Sequence, residues 1–397
     1  MRGQTLLPTG PRLQLVAWLF IILPGCTREP ARQPQATSTD GPVASELIAS
    51  HPLAGVEPIE GPLFTKMDSR DTGIIFANRW NPAGKQATEL SGPFAGGGVA
   101  IGDYDADGQA DLYLTRPIGG SRLYRNLGQM QFEDVTVDAG LDDIQLHGTG
   151  ASFADVDNDG DLDLHVCCYD GPNRLYLNQG NGKFKEQASQ MGLALKRASV
   201  MCSFADYDND GDLDAYLLTN SRPPKAPIGV RALKEDGKWT VPRAAREHKA
   251  VIVRDGVDLV YVDAGEADHL LRNNGDGTFT DVSLAAGISG YDIGLSATWL
   301  DVNDDGLLDL YVANDFFTPD HLWVDNGDGT FTDKIAEVLP HTPWYSMGSD
   351  AADVNNDGLI DLIGTDMSAT AHYKSKITMG NMQDGWFLEH PEPRQYM

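Results

Sequence analysis

The stretch DVDNDGDLD at residues 155–163 decides the fold of this chain. Oxygen-bearing side chains stand at its positions 1, 3, 5 and 9, and glycine stands at position 6. The same spacing, with asparagine third in two copies, returns in four further stretches that begin at Asp103, Asp206, Asp301 and Asp353. Five copies of one nine-residue pattern in 397 residues indicate an internal repeat.

The repeat has a period of about 50 residues, because the five acidic stretches start 52, 51, 95 and 52 residues apart. A second pattern, NxGxGxF, follows them at residues 178–184, 273–279 and, with aspartate first, 325–331. The copy at 126–132 has Met130 in place of the second glycine. The interval from acidic stretch to second pattern is 23, 23, 67 and 24 residues. The long interval is therefore one repeat that carries about 44 additional residues.

Each repeat has the pattern of four short β-strands. Apolar residues lead into the acidic stretch, as at 98–101, and alternate with polar residues after it, as at 162–166. Glycine and asparagine in the second pattern predict a tight turn between two further strands. Four-stranded units of this period are typical of β-propeller blades, whereas solenoid coils repeat at shorter intervals. We predict an all-β propeller over residues 61–397 with about five recognisable four-stranded blades, the last incomplete.

A glycine follows eight residues after the phenylalanine of three tight turns, at Gly140, Gly192 and Gly287. Residues 64–73 resemble the same stretch with one residue added. This similarity predicts an outer strand near the N-terminus that could complete a final blade.

The acidic stretches predict cation sites, since glycine at position 6 lets a loop wrap closely around an ion. All-oxygen ligands in this number favour calcium, which manganese could replace, over zinc, copper or magnesium. In the second loop the main-chain carbonyl of Asp161 would add a ligand. The predicted ligands are Asp103, Asp105, Asp107, Asp111, Asp155, Asp157, Asp159, Asp163, Asp206, Asp208, Asp210, Asp214, Asp301, Asn303, Asp305, Asp309, Asp353, Asn355, Asp357 and Asp361.

The EF-hand alternative fails, because position 12 of the loop is never glutamate and strands flank the loops. Acidic turns that serve solubility alone are disfavoured, since converging carboxylates repel one another without a cation. Extracellular calcium modules bind at about 10⁻⁴ to 10⁻³ M, so millimolar calcium would stabilise each site by roughly 0.4 to 1.4 kcal/mol. We predict about five calcium ions with a structural role.

The first 26 residues have the pattern of an export signal: Arg2 and Arg12 precede an apolar run at 13–23 that is too short to span a bilayer. The run ends at Cys26 in LPGC, which resembles the lipobox of bacterial lipoproteins, although Pro24 departs from its usual small residue. We predict lipidation of Cys26 and display on a bacterial outer membrane or cell surface. An ordinary signal peptide, with a periplasmic or secreted product, is the alternative. Residues 27–60 have the composition of a flexible tether.

The formal net charge of -28 disfavours nucleic acid and anionic lipid as partners. Membrane contact is therefore expected only through the lipid anchor. Residues 221–254 depart from this balance with nine of the thirty lysines and arginines against three acidic residues. This basic insertion, at about 221–265, predicts either recognition of an acidic glycan or protein, or packing against the acidic propeller itself.

These patterns resemble the FG-GAP/VCBS repeats of integrin α-subunit propellers, and more specifically the ASPIC/UnbV group that includes cartilage acidic protein. The residues that carry the resemblance are GASFAD at 150–155, NDF at 314–316 and SMGSD at 346–350. It implies a calcium-binding propeller on an exported protein, with adhesion or partner binding. The sequence stops at Met397, where such proteins would begin another hairpin, so the C-terminal ASPIC/UnbV domain is not expected here.

No nucleophile motif, phosphate-binding glycine loop or HExxH helix is present in the sequence, so we do not expect an enzyme. A calcium-dependent polysaccharide lyase or hydrolase is the alternative, and a passive part of a surface assembly is a third. Trp299, Trp323, Trp344 and Trp386 could stack on sugars but are more often core residues. Cys202 could pair with Cys167 or Cys168, or all three could be buried thiols.

Overall fold

The computed structural model describes residues 64–78, 96–222, 229–235, 237–254, 258–315, 318–343 and 345–367. The chain divides into two compact units, residues 1–65 and 66–397, and of the first unit only residues 64 and 65 are described. The predicted export signal, the lipidation site Cys26 and the tether at 27–60 therefore lie outside the described residues. The blades described below all belong to the second unit.

The first blade follows a short helix, α1 (Ser69–Thr72), and is a four-stranded antiparallel sheet. Its strands pair in chain order: β1 (Val99–Gly102), β2 (Asp111–Leu114), β3 (Arg122–Asn126) and β4 (Phe132–Asp134). The acidic stretch joins β1 to β2, and the tight turn joins β3 to β4. This is the unit that the repeat predicts.

The second and third blades share one sheet of eight strands. The second consists of β5 (Gly148–Ala154), β6 (Asp163–Pro172), β7 (Arg174–Asn178) and β8 (Phe184–Glu186), and α2 (Ala188–Met191) follows it. The third begins with β9 (Lys196–Ala205) and β10 (Asp214–Thr219). The two blades join because β6 runs past its own blade and pairs with β9, with Tyr169 opposite Ala198.

The basic insertion lies inside the third blade and forms two β-hairpins. One hairpin is β11 (Leu233–Glu235) with β12 (Lys238–Thr240), and the other is β13 (Lys249–Arg254) with β14 (Asp258–Asp263). A 3₁₀ turn at Arg243–Ala245 connects them. The blade then resumes with β15 (His269–Asn273) and β16 (Phe279–Asp281).

The fourth blade repeats the four-stranded order, and the fifth has two described strands. The fourth consists of β17 (Gly294–Leu300), β18 (Asp309–Asn314), β19 (His321–Asp325) and β20 (Phe331–Asp333), followed by α3 (Ile335–Val338). The fifth consists of β21 (Ser346–Ala352) and β22 (Asp361–Asp366). The prediction of an all-β propeller with about five blades, the last incomplete in the described residues, is confirmed.

The core lies between blades, because alternate side chains of each blade face its two neighbours. Tyr113 of the first blade and Leu164 of the second belong to one buried cluster, and Tyr216 of the third and Leu310 of the fourth belong to another. Trp299 is stacked against Tyr207 with ring centroids 6.3 Å apart. The interpretation of Trp299 and Trp323 as core residues is confirmed, while Trp344 and Trp386 lie outside the described residues.

Short links from one blade to the next end in glycines with positive φ. A Cβ on Gly192 (φ +85) would lie 2.8 Å from the main-chain oxygen of Phe279, in the fourth strand of the next blade. Gly73 (φ +77) has the same relation to Phe132 of the first blade, at 2.3 Å. In the later blades this position beside the fourth strand is taken by the link from the preceding blade. At the first blade it is taken by the stretch that ends at Gly73.

Cys167, Cys168 and Cys202 are buried free thiols, so the described cysteines form no disulfide. Burial raises the pKa of Cys168 to about 12. Cys167 and Cys202 pack as small apolar groups in the cluster between the second and third blades, and Cys168 packs in the cluster between the first and second.

Candidate metal sites

Each acidic loop is closed by hydrogen bonds from its own backbone. In the second loop the carboxylate of Asp155 accepts the N–H of Asp159 at 3.1 Å and the N–H of Gly160 at 3.0 Å. Asp159 in turn accepts the N–H of Asp161 at 2.9 Å. The same three bonds recur in the other four loops. The side chains at positions 1 and 5 therefore face the loop interior.

Position 4 of every loop adopts the left-handed backbone conformation, which the repeat pattern did not reveal. The residues and their φ angles are Ala106 (56°), Asn158 (58°), Asn209 (57°), Asp304 (59°) and Asn356 (60°). Asparagine and aspartate are the non-glycine residues that tolerate this conformation best. Their presence in four of the five copies is the sequence feature from which the left-handed turn could have been predicted.

Position 9 ties each of the first four loops to the rest of its blade. The buried carboxylate of Asp163 accepts the N–H of Val156, in its own loop, at 3.1 Å and the N–H of Asn178, at the end of the third strand, at 2.8 Å. Asp111, Asp214 and Asp309 accept the equivalent pair of bonds. Position 9 is thus a structural acceptor as well as a predicted ligand.

Three of the loops bring carboxylates together closely enough to share one ion. Single oxygens of Asp103, Asp105 and Asp111 lie within 4.8 Å of one another, and so do those of Asp155, Asp157 and Asp163. In the third loop the converging groups are Asp206, Asp208 and Asp210. In the fourth loop the Asn303 amide donates to Asp305 at 2.8 Å. The assignment of all the predicted residues as metal ligands stays a prediction.

Burial is the main cause of the raised pKa values in the loops, and repulsion between carboxylates adds to it. Burial, with a smaller contribution from repulsion by Asp157 and Asp159, raises the pKa of Asp163 to about 7. Burial likewise raises the pKa of Asp214 to about 7. The opposite holds at position 1 of the fifth loop, where a hydrogen bond from the N–H of Gly358 lowers the pKa of Asp353. A cation among these groups would favour their charged forms.

The donor set fits calcium. Only oxygen atoms converge in the three loops, and hard oxygen ligands suit calcium, whereas nitrogen or sulfur would suit zinc or copper. One buried oxygen of Asp105 has no hydrogen-bond partner among the described residues, as expected of an atom that faces an ion. The arrangement can therefore hold cations.

The second and third loops are joined directly. The amide of Asn158, at position 4 of the second loop, donates to Asp212 of the third at 2.6 Å and to the carbonyl of Gly211 at 3.2 Å. The residue at position 4 of the first loop is Ala106, which has no amide to donate to the loop that follows.

The basic insertion uses part of its charge for its own attachment. Arg222 contacts the carboxylates of Asp170 and Glu266, which belong to the propeller. Arg246 pairs with Glu235, and Lys249 pairs with Asp263, inside the insertion. Arg231, Lys234, Lys238 and Arg243 have no described acidic partner within ion-pair distance.

A cleft of 310 Å³ opens beside the innermost strands of the first three blades. Small and apolar residues line it, among them Gly98, Ser152 and Met201, with hydroxyls from Thr149 and Ser152. No histidine, arginine, lysine or tyrosine is among the described residues that line it. The lining therefore offers no titratable side chain for acid–base chemistry at that cleft.

These features define a class of protein. It is a β-propeller in which an acidic loop, suited to bind a cation, joins the first two strands of each blade. A family model described as an FG-GAP-like repeat matches residues 103–166, 155–217, 256–312 and 301–364, more than half of the chain. Three of the matches begin at the first residue of an acidic loop, and the third, 256–312, begins inside the insertion. The chain belongs to the FG-GAP repeat family.

Cartilage acidic protein 1 is a curated relative of this chain. The mouse protein is 27% identical over 251 residues, which cover 62% of this chain and 33% of the relative. The human protein is 26% identical over 250 residues, with 62% and 32% covered. The chain thus spans about a third of the length of these relatives. The resemblance to the cartilage acidic protein group is confirmed at this level.

Two solved structures resemble the chain weakly. One is a lectin of Agrocybe aegerita that recognises non-reducing terminal N-acetylglucosamine, with a TM-score of 0.27, 21% identity, and 58% of this chain and 63% of the lectin covered. The other is the V. cholerae biofilm matrix protein Bap1, with a TM-score of 0.26, 15% identity, and 59% and 38% covered. Overlap this low carries no argument about ligands. Separately, none of the helices in the described residues has the length and apolar character to cross a membrane.

Proposed function

We propose that this chain is an exported, calcium-binding propeller that acts in adhesion, ligand recognition or assembly at a cell surface. The observation that carries the proposal is the convergence of three carboxylates in each of the first three acidic loops. The proposal contains no catalytic step. Its partner is a protein or a glycan, and its lipid anchor is Cys26.

The proposed role of calcium is structural. An ion held by positions 1, 3 and 9 would link the loop to the carboxylate that also holds the third strand, as Asp163 does with Asn178. Binding would therefore fix the relative positions of strands one to three in each blade. Five ions would bring the formal charge of the chain from -28 to -18, which lowers repulsion among the loops.

The proposed lipid anchor is inferred from the sequence alone. The proposed extracellular compartment is inferred from the relatives. Cartilage acidic protein 1 is named for an extracellular tissue, and the mouse protein is 27% identical to this chain over 251 residues. Export would place the loops in a compartment where calcium reaches the concentrations that such modules need, about 10⁻⁴ to 10⁻³ M. Mass spectrometry of the mature N-terminus would test the anchor, since lipidated Cys26 would be its first residue.

The central test is thermal unfolding of the purified protein in excess EDTA and in millimolar calcium, with bound metal counted on the same samples. We expect one cooperative transition that moves to higher temperature with calcium, and about five ions per chain. A melting temperature that does not respond to calcium, or a chain that binds none, would contradict the proposal.

Two variants in the second loop separate the ligand role from the structural role. Asp157→Asn should weaken calcium binding at this loop and leave the melting temperature in EDTA unchanged, because the fourth and fifth loops carry asparagine at the same position. Asp163→Asn should lower the melting temperature in EDTA as well. Its amide would face an N–H that the carboxylate now accepts, a loss of about 1 to 3 kcal/mol. Equal effects in EDTA would show that position 3 is structural too.

A further inference from the structure

The hairpin formed by β11 and β12 has two different faces. Lys234 lies directly opposite Trp239, and both side chains are exposed. Leu233 and Thr240 form the adjacent pair on the other face and are partly buried. Because side chains alternate along a strand, the hairpin turns its cation and its indole outward together.

The outward position of Lys234 and Trp239 is held in place by the rest of the insertion. The N–H of Ala232, just before the hairpin, donates to the hydroxyl of Tyr261 in the second hairpin at 2.8 Å. Val241, just after the hairpin, is buried, and its carbonyl accepts a hydrogen bond from Arg246 at 3.2 Å. The hairpin is therefore attached at both ends.

Four cations around the hairpin face solvent. Arg231, Lys234, Lys238 and Arg243 are all exposed, and none has a described acidic side chain within ion-pair distance. They differ in this respect from Arg222, Arg246 and Lys249, which hold the insertion together. Lys238 lies opposite Glu235 and next to Trp239 in its strand, so it belongs to the other face of the hairpin. We call Arg231, Lys234, Trp239 and Arg243 the basic hairpin surface.

The ammonium of Lys234 lies 5.6 Å from the centroid of the Trp239 ring, and the indole is 40% exposed. An anionic group bound to Lys234 would therefore bring the rest of its molecule against the indole. A sugar ring that carries a carboxylate or sulfate satisfies both contacts, since its C–H groups pack on an aromatic face while its charge pairs with the cation.

The charge around the insertion favours a slender ligand over a broad one. The chain as a whole carries -28, so a large acidic protein surface would meet acidic blades as well as the hairpin. Charges are screened beyond about 8 Å at physiological ionic strength, so a single polysaccharide chain could lie along the hairpin without that repulsion.

We propose that the basic hairpin surface binds anionic polysaccharide, with sulfate or carboxylate groups on Lys234 and the two arginines and a sugar ring on Trp239. This inference rests on the proposed function, of which it specifies the ligand. Lys234 and Trp239 form the centre of the surface, and Arg231 and Arg243 contribute charge.

The test compares three polymers with one backbone: dextran sulfate, carboxymethyl dextran and uncharged dextran. Binding to the full chain is measured in millimolar calcium over a range of salt concentrations. We expect the two anionic polymers to bind and dextran not to bind. The variant Arg231→Glu/Lys234→Glu should weaken binding at least tenfold.

Two further variants make the result specific. Lys66→Glu/Lys185→Glu changes the total charge by the same amount at exposed lysines outside the insertion, and it should leave binding almost unchanged. Trp239→Ala should weaken binding about threefold to tenfold with the same salt dependence, because it removes a contact and no charge. Calcium-dependent melting of each variant checks that it is folded.

Several outcomes would overturn the inference. The first is that neither anionic polymer binds. The second is that the Lys66→Glu/Lys185→Glu control loses as much binding as the Arg231→Glu/Lys234→Glu variant. The third is that single-stranded DNA or an acidic protein binds and the polysaccharides do not. Wild-type melting that responds to calcium while no polymer binds would reject this inference alone. Polymer binding by a chain that does not respond to calcium would reject the proposed calcium role and leave the hairpin surface standing.

Discussion

At the scale of single residues, the left-handed residue at position 4 is the most constrained part of each acidic loop. An L-residue in this conformation costs roughly 1 to 2 kcal/mol, and asparagine or aspartate lowers that cost through local hydrogen bonds. The first loop has Ala106 there, at φ +56. The first loop is therefore more strained than its four copies.

We predict that Ala106→Asn raises the free energy of unfolding by about 0.5 to 1 kcal/mol, measured by denaturant titration in EDTA. The new amide could also donate to Asp161 of the second loop, as Asn158 donates to Asp212 of the third. Ala106→Gly is the control, since it relieves the backbone and offers no donor. An Ala106→Asn variant less stable than the wild type would refute the strain argument.

At the scale of elements, the blades are joined by one amide that recurs at the first position of the tight turn. The Asn178 amide donates to the carbonyl of Tyr104 in the preceding blade at 2.7 Å, and that of Asn273 donates to Val156 at 3.1 Å. The fourth blade has Asp325 in this place, beside Tyr207 of the third loop. A carboxylate cannot donate this bond.

We predict that Asp325→Asn raises the free energy of unfolding in EDTA by about 1 kcal/mol, because it would supply the missing bond between the third and fourth blades. The reciprocal change, Asn273→Asp, should lower the free energy of unfolding by about 1 to 3 kcal/mol, since a buried carbonyl loses its donor. Both changes are measured as shifts in melting temperature. If both variants have the melting temperature of the wild type, the amide bond between blades does not contribute to stability.

The sequence predicts the repeating elements well, because each blade is specified by short-range patterns. The acidic loop follows from nine residues, and the tight turn follows from seven. The double acceptor role of Asp163 could not be predicted in the same way, since its partner Asn178 is 15 residues away and acts through its backbone. The same limit applies to the pairing of Tyr169 with Ala198, where a strand extends beyond its own blade.

At the scale of the whole molecule, the distribution of charge dominates. The formal charge of -28 includes the carboxylates of the five acidic loops. Each of these loops lies between the first and second strands of its blade. Without a cation this arrangement stores electrostatic repulsion that unfolding would release.

We predict that added salt, from about 0.05 to 0.5 M sodium chloride, raises the melting temperature in EDTA by several degrees, because screening weakens that repulsion. In millimolar calcium the same salt should have little effect, because bound ions neutralise the loops already. The comparison is made by calorimetry on one protein preparation. Equal salt dependence with and without calcium would mean that the loops are not the source of the repulsion.

The links between blades give the chain a direction of assembly. Phe184 of the second blade donates its N–H to Ala139 before it, and Phe331 of the fourth donates to Ala286 before it. In each case the later blade completes its outer strand on a segment that left the ribosome earlier. A nascent chain could therefore add blades one after another from its N-terminal side, with each new blade templated by the last. An interruption of synthesis would then leave a row of finished blades.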